Sequence, residues 1–135
     1  MGLAERRAAE QFKNNDYPAW KARIDEAAGF DVAIDVLWDE LATDEYASSY
    51  TSFFPKVYFQ PMVDALAAIT IDDMGKDALR GGLKKVVVRN TDQYASTSGF
   101  AFEGGVLTID HRSNTNVDDG DQRATGIQKL LESRL

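Results

Sequence analysis

The sequence has no cysteine and only one histidine, His111, among its 135 residues. Without cysteine the chain cannot form disulfides, thiolate nucleophiles, zinc ribbons or iron–sulfur clusters, and one histidine cannot supply a multi-histidine metal site. We therefore expect no metal site and no cofactor in this chain. The alternative is weak, irregular binding of a divalent cation within residues 110–121, by Asp110, Asn116, Asp118, Asp119 or Asp121.

Positive charge is also scarce, because 15 Lys and Arg residues stand against 22 Asp and Glu residues and leave a formal net charge of −7. Such a chain repels phosphates and anionic lipid, so we expect no nucleic-acid partner and favour a basic protein partner instead. No apolar run approaches the length of a membrane span, and the charged N-terminal segment lacks the apolar core of a secretory signal. These features predict a cytoplasmic protein with no membrane partner.

The length suits a single globular domain covering residues 1–135, since a chain of this size can bury an independent core. Hydrophobic residues make up 44% of the chain and charged residues 27%, which are ordinary values for a folded protein and argue against wholesale disorder. The sequence contains no internal repeat and no low-complexity tract. We therefore expect one folded unit.

Helical patterns occupy both ends of the chain. Residues 3–14 are rich in helix-forming residues, and Asp16 with Pro18 predicts the start of a second helix that ends at Gly29. In the middle, Pro61 predicts one further helix, and the Asp72–Asp73 pair predicts the start of another with Met74, Ala78 and Leu79 as its apolar residues. A final helix is predicted by the spacing of Ile127, Leu130, Leu131 and Leu135.

Three segments alternate apolar and polar residues as β-strands do. They are FDVAIDVLW from Phe30, KKVVVRN from Lys84, and GFAFEGGVLTID from Gly99, in which a Gly104–Gly105 turn would join two strands as a hairpin. The predicted fold is α+β. We expect an antiparallel sheet of about four strands, with helices packed mainly on one face, two N-terminal helices and a C-terminal helix.

The loop HRSNTNVDDGDQR, residues 111–123, concentrates the histidine with three aspartates. It fails as a calcium-binding EF-hand loop, because glycine is displaced from the sixth position and no acidic residue stands at the twelfth. The spacing of Asp119 and Gln122 resembles a helix-capping box. As a weaker alternative, His111, Asp110 and Asp118 are the polar candidates for a ligand site.

Residues 46–59 hold six aromatic side chains, whose usual fate is core packing but which are also enriched at protein interfaces. If this segment is an interface, Tyr50, Phe53 and Phe54 are the predicted contacts, with Asp44 and Glu45 as an acidic rim that attracts a basic partner. The sequence leaves core and interface open for residues 39–60. Self-association into a homo-oligomer is a further use of the same surface.

Two functional hypotheses follow. The first is a small, acidic, non-catalytic protein-binding module, for example an inhibitor or immunity-like protein, an analogy that depends only on size and charge. The alternative is a small enzyme or ligand-binding protein with a cleft near His111. No residue is assigned a catalytic role, because no nucleophile motif or phosphate-binding loop is present.

Overall fold

A four-stranded mixed sheet and seven α-helices make up the part of the chain that the structure, a computed structural model, describes: residues 2–135. The helices are α1 (Leu3–Gln11), α2 (Tyr17–Ala28), α3 (Trp38–Leu41), α4 (Tyr50–Phe54), α5 (Gln60–Ile69), α6 (Asp73–Gly82) and α7 (Gly120–Glu132). The strands are β1 (Ile34–Val36), β2 (Lys85–Arg89), β3 (Ala101–Glu103) and β4 (Val106–Asp110). Two π-helical turns, Phe12–Asp16 and Pro55–Phe59, and two 3₁₀ turns, Ala47–Ser49 and Thr97–Gly99, complete the described elements.

The sheet has the strand order β1-β2-β4-β3, and only β3 and β4 run antiparallel. β1 pairs with β2 and β2 with β4 in parallel. The prediction of an antiparallel sheet is therefore wrong. Parallel neighbours need a long crossover, and residues 37–84 supply one between β1 and β2 through four helices. The fold is still α+β, as predicted.

The hairpin between β3 and β4 is confirmed. Phe102 pairs with Leu107 and Glu103 pairs with Val106, as counting outward from the two glycines predicts. Gly104 and Gly105 have φ values of 59° and 80°, a region that glycine enters without the steric cost of a Cβ atom. The two-residue turn is therefore specified by local chemistry alone.

The helices differ from the prediction in number and placement. The expected break between the two N-terminal helices is absent, because the π-helical turn at Phe12–Asp16 carries the chain from α1 into α2. Residues 39–60, which had no clear assignment from sequence, form α3, α4 and the second π-helical turn. A C-terminal helix is present, and α5 packs most extensively against it and against α2.

The two π-helical turns meet in the core through their aromatic rings. Phe12, from the first turn, stacks on Phe59, from the second, with ring centroids 5.9 Å apart, and meets Phe54 edge-on at 5.2 Å. All three rings are buried. Offset and edge-on aromatic pairs stabilise a core beyond their area alone, so this cluster ties the N-terminal helices to the middle of the chain.

Arg123, on α7, is a buried cation, with only 2% of its surface exposed. Its guanidinium donates to the carbonyl oxygens of Val57 at 3.1 Å and Lys56 at 3.1 Å, and to those of Asn116 at 2.6 Å and Val117 at 3.0 Å. Pro61 has no N–H, so the carbonyl of Val57, four residues earlier, cannot receive the usual helical hydrogen bond. Arg123 donates to that carbonyl and joins the π-helical turn Pro55–Phe59 and the loop before α7 to one helix.

Candidate functional site

The predicted contacts Tyr50 and Phe54 lie in the core. Their rings stack with centroids 4.6 Å apart, and both side chains are buried. The Tyr50 hydroxyl accepts a hydrogen bond from Thr43 N at 2.8 Å and donates one to Thr43 O at 2.7 Å. These two residues offer no surface to a partner, because the four-residue spacing places both on the inner side of α4.

The remaining residues of that predicted contact zone lie at the surface. Phe53 is half-buried, with its ring 6.0 Å from that of Tyr46, while Asp44 and Glu45 are exposed. Glu45 adopts a positive φ of 72°, and its N–H lies 3.5 Å from Oε1 of Glu5. A partner-binding role for Phe53, Asp44 and Glu45 stays a prediction.

His111 is enclosed by protein, with an exposed fraction of 0%. Its Nδ1 atom lies 2.6 Å from the carbonyl oxygen of Arg112, and its Nε2 atom is buried without a hydrogen-bond partner among the described residues. Its own carbonyl accepts a hydrogen bond from the Tyr58 hydroxyl at 2.6 Å. Burial lowers the pKa of His111 from its ordinary value of 6.5, an effect that the Arg112 carbonyl partly offsets.

We expect stability to fall in mild acid because of His111. Its pKa is lowered in the folded protein, so the unfolded chain binds the proton more readily once the pH drops through 6.5. The stabilisation is complete above that value and is lost as the pH falls toward the folded pKa. Urea unfolding between about pH 7.5 and about pH 5 should show a steeper pH dependence for the wild type than for His111→Gln. Equal slopes would contradict this assignment.

Asp110 and Asp118 have different partners, and no hydrogen bond joins either carboxylate to the His111 ring among the described residues. The Asp110 carboxylate accepts hydrogen bonds from the N–H and the hydroxyl of Thr91. Asp118 is exposed and lies 3.5 Å from Nζ of Lys56. Within residues 2–135, no group of three or more histidine, aspartate or glutamate side chains is placed to hold a metal ion.

The capping box predicted at the start of α7 is not formed. Asp119 occupies the N-cap position, but its side chain makes no capping hydrogen bond. The loop before α7 is instead held by Arg123, through the carbonyls of Asn116 and Val117. By contrast, Asp72 does cap α6, because its carboxylate accepts a hydrogen bond from Gly75 N at 2.8 Å.

The two most exposed large apolar side chains among the described residues lie together where α5 turns into α6. Ile71 is 83% exposed and Met74 is 82% exposed, and Leu135 from the end of the described chain joins them at 37%. These three residues, which we call the corner patch, border a groove of about 410 Å³ with Ala68, Ile69, Ala78 and neighbouring residues. The sequence predicts Met74, Ala78 and Leu79 as the apolar residues of this helix, but only Leu79 is buried in α6.

The corner that carries this patch is rigidly held. The Thr70 hydroxyl oxygen lies 2.7 Å from the carbonyl oxygen of Ala27 and 2.9 Å from that of Leu66, so its single hydrogen is shared between these two acceptors. A Cβ atom at Gly75 would lie 1.7 Å from the carbonyl oxygen of Ile69, so the first turn of α6 touches the end of α5 directly. Ile71 and Met74 are thus presented on a corner with little room to move.

Local helix chemistry does not explain why Ile71 is apolar. A hydrophobic residue just before an N-cap often packs against the fourth helical residue, an arrangement called a hydrophobic staple. With Asp72 as the N-cap, that partner position is Lys76, which is exposed and not apolar. Ile71 therefore forms no staple, and its side chain is free to contact another molecule.

Acidic side chains surround the corner patch. Asp72, Asp73 and Asp77 are exposed on α6 and its cap, and Glu132 borders the same groove. Of the basic residues on α6, Arg80 is turned away, because it donates to the carbonyl of Gly29 at 2.6 Å and lies over the ring of Phe30. The rim of the patch therefore has an excess of negative charge.

No helix within residues 2–135 combines the length and apolar character that crossing a membrane requires. Comparisons with protein-family models, curated proteins and solved structures find no match for this chain. The corner patch is the surface feature that local structure leaves unexplained, and it is the candidate site.

Proposed function

We propose that this chain is a non-catalytic protein-binding module that docks a basic protein partner on the corner patch. The observation that carries the proposal is the exposure of Ile71 at 83% and Met74 at 82% on one braced corner. Two large apolar side chains exposed together, with a polar rim, are typical of an interaction site. Exposed to water, these two apolar side chains contribute no hydrophobic stabilisation, which they gain only when a partner buries them.

The physical gain from docking is substantial. Complete burial of an isoleucine or methionine side chain contributes about 1.5–3 kcal/mol each. Because the capped helix start and the Thr70 hydroxyl already hold the corner, binding does not have to order this backbone. Met74 adds an unbranched, polarisable side chain that adapts to the shape of a partner pocket.

The acidic rim supports a basic partner. Asp72, Asp73, Asp77 and Glu132 attract cationic residues across an interface and repel acidic competitors. Because exposed charges are screened, association should weaken and slow as salt is raised. A cytoplasmic inhibitor or immunity-like protein that covers a basic partner fits the size and net charge of −7. The enzyme alternative gains no support from His111, since its ring is enclosed.

We expect the double variant Ile71→Ser, Met74→Ser to lose partner capture while remaining folded. Affinity capture from a lysate of the source organism, at low and moderate salt, identifies the retained basic protein by mass spectrometry. The double variant should bind that protein at least about 100-fold more weakly, because two apolar anchors are removed from the centre of the contact. Its melting temperature should change little, since both side chains are already in water.

Leu3→Ser provides a matched control, because Leu3 is 53% exposed on α1 and lies outside the corner patch. It should retain full binding. If only Phe53→Ser lost binding, that result would contradict docking at the corner patch. It would favour docking on the segment that contains Asp44, Glu45 and Phe53. Sedimentation of the purified protein separates heteromeric binding from self-association, which is the remaining use of an exposed apolar surface.

A further inference from the structure

β1 leaves one edge of the sheet open. Val86 N donates to the carbonyl of Ala33 at 2.8 Å, and Leu37 N donates to the carbonyl of Val88 at 2.9 Å. In this parallel register, with Ile34 opposite Val86, the backbone groups that face β2 are those of Ala33, Asp35 and Leu37. The N–H and C=O groups of Ile34 and Val36 consequently point away from the sheet.

Within residues 2–135 these outward groups have no hydrogen-bond partner. None of the residues described by the structure forms a hydrogen bond to the backbone of Ile34 or Val36 from outside the sheet. Unpaired groups in a row on an edge strand form a template for another extended chain. The pairing surface is short, because β1 spans three residues.

A groove of about 500 Å³ begins at Val36, the last residue of β1. Val36, Leu37 and Trp38 supply its apolar lining, and all three are half-buried. Three carboxylates and one ammonium group complete the lining. The Glu40 carboxylate already forms an ion pair with Arg89 at 3.0 Å. The charged lining residues are Glu10, Lys13, Asp39 and Glu40.

We propose that β1 accepts an extended, basic segment of a partner protein as a fifth strand of the sheet. Backbone hydrogen bonds to Ile34 and Val36 hold the segment, and its apolar side chains contact Trp38 in the groove. Its lysine or arginine side chains approach Glu10 and Asp39, both exposed. The same negative charge opposes edge-to-edge pairing of two copies of this chain.

This proposal is independent of the corner patch, because it involves other residues and a different kind of contact. A short synthetic peptide of alternating lysine and valine is the probe. Amide hydrogen exchange, followed by NMR on the full chain, reads each backbone N–H separately. Without peptide, the amides of Ile34 and Val36 should exchange at least about tenfold faster than that of Leu37, whose N–H is bonded to Val88.

Saturating peptide should slow exchange at Ile34 and Val36 at least about tenfold and leave the amides of Ile71 and Met74 unchanged. The double variant Glu10→Lys, Asp39→Lys should bind the peptide at least about tenfold more weakly. Asp77→Lys, Glu132→Lys is the matched control, since it changes the net charge equally at the corner patch. That control should bind the peptide almost as well as the wild type.

Three results would overturn the proposal. The first is unchanged exchange at Ile34 and Val36 with millimolar peptide. The second is equal protection by a peptide of alternating glutamate and valine, which would remove the charge argument. The third is protection that appears without peptide as the protein is concentrated, which would make a second copy of this chain the occupant of the edge.

Discussion

Replacing Arg123 by methionine is expected to lower the free energy of unfolding by about 3 kcal/mol. The substitution removes hydrogen bonds to four carbonyl groups while keeping an apolar side chain of similar length. A buried carbonyl without a partner costs about 1–3 kcal/mol. Val57 is buried, so its carbonyl is shielded from water, whereas Lys56 and Asn116 are exposed residues whose carbonyls can bind water instead.

One opposing effect reduces this loss. Within residues 2–135 no carboxylate forms an ion pair with this guanidinium, and burial lowers its pKa, an effect that the charge of Asp119 partly offsets. Removing the guanidinium charge therefore recovers part of the desolvation cost. The buried Val57 carbonyl left without this donor, together with the lost hydrogen bonds to the three part-buried carbonyls, outweighs that gain, so we expect a net loss. Urea unfolding of Arg123→Met, beside the exposed control Arg134→Met, measures the difference. A loss below about 1 kcal/mol would show that water replaces the guanidinium at every carbonyl.

Changing Gly75 to alanine is expected to destabilise the protein by more than about 3 kcal/mol and to displace the corner patch. The added Cβ atom would lie 1.7 Å from the carbonyl oxygen of Ile69 and 3.2 Å from the capping oxygen of Asp72. The obstruction is backbone, so no side-chain rotation relieves it. α6 has to shift relative to α5, and that shift moves Ile71 and Met74.

Gly81→Ala is the matched control within the same helix. A Cβ atom at Gly81 would meet nothing within 4 Å, so alanine should raise stability by up to about 1 kcal/mol through its better helix propensity. Thermal unfolding of the two variants should therefore move in opposite directions. Equal melting temperatures for Gly75→Ala and the wild type would mean that the α5–α6 corner yields easily, contrary to the rigid presentation inferred above.

Local chemistry made part of the fold predictable from sequence. The Gly104–Gly105 turn fixes its own hairpin, and the alternation of Val86 and Val88 identifies buried positions of β2. The direction of the central strands depends on which segments pair, and pairing is a nonlocal property. Nothing within residues 84–90 or 99–110 records that β2 and β4 run side by side in parallel.

The candidate site was harder to anticipate for a similar reason. Tyr50, Phe54 and Tyr58 recur every four residues, the spacing of a buried helical stripe, and that signal places them in the core. Ile71 and Met74 give no such signal, because an apolar residue in a short connection is as compatible with core as with surface. Their exposure follows from the angle between α5 and α6, which the packing of Gly75 against Ile69 sets.

The position of β4 between β2 and β3 also bears on how the chain acquires its structure. β1 and β2 emerge first during synthesis, but the partner on the far side of β2 arrives only with residues 106–110. Until then one edge of β2 presents unpaired backbone N–H and C=O groups to other nascent chains. Parallel pairing between distant segments forms slowly. The folding intermediate in which β2 is not yet paired with β4 is therefore the species whose open strand edge a chaperone would need to shield.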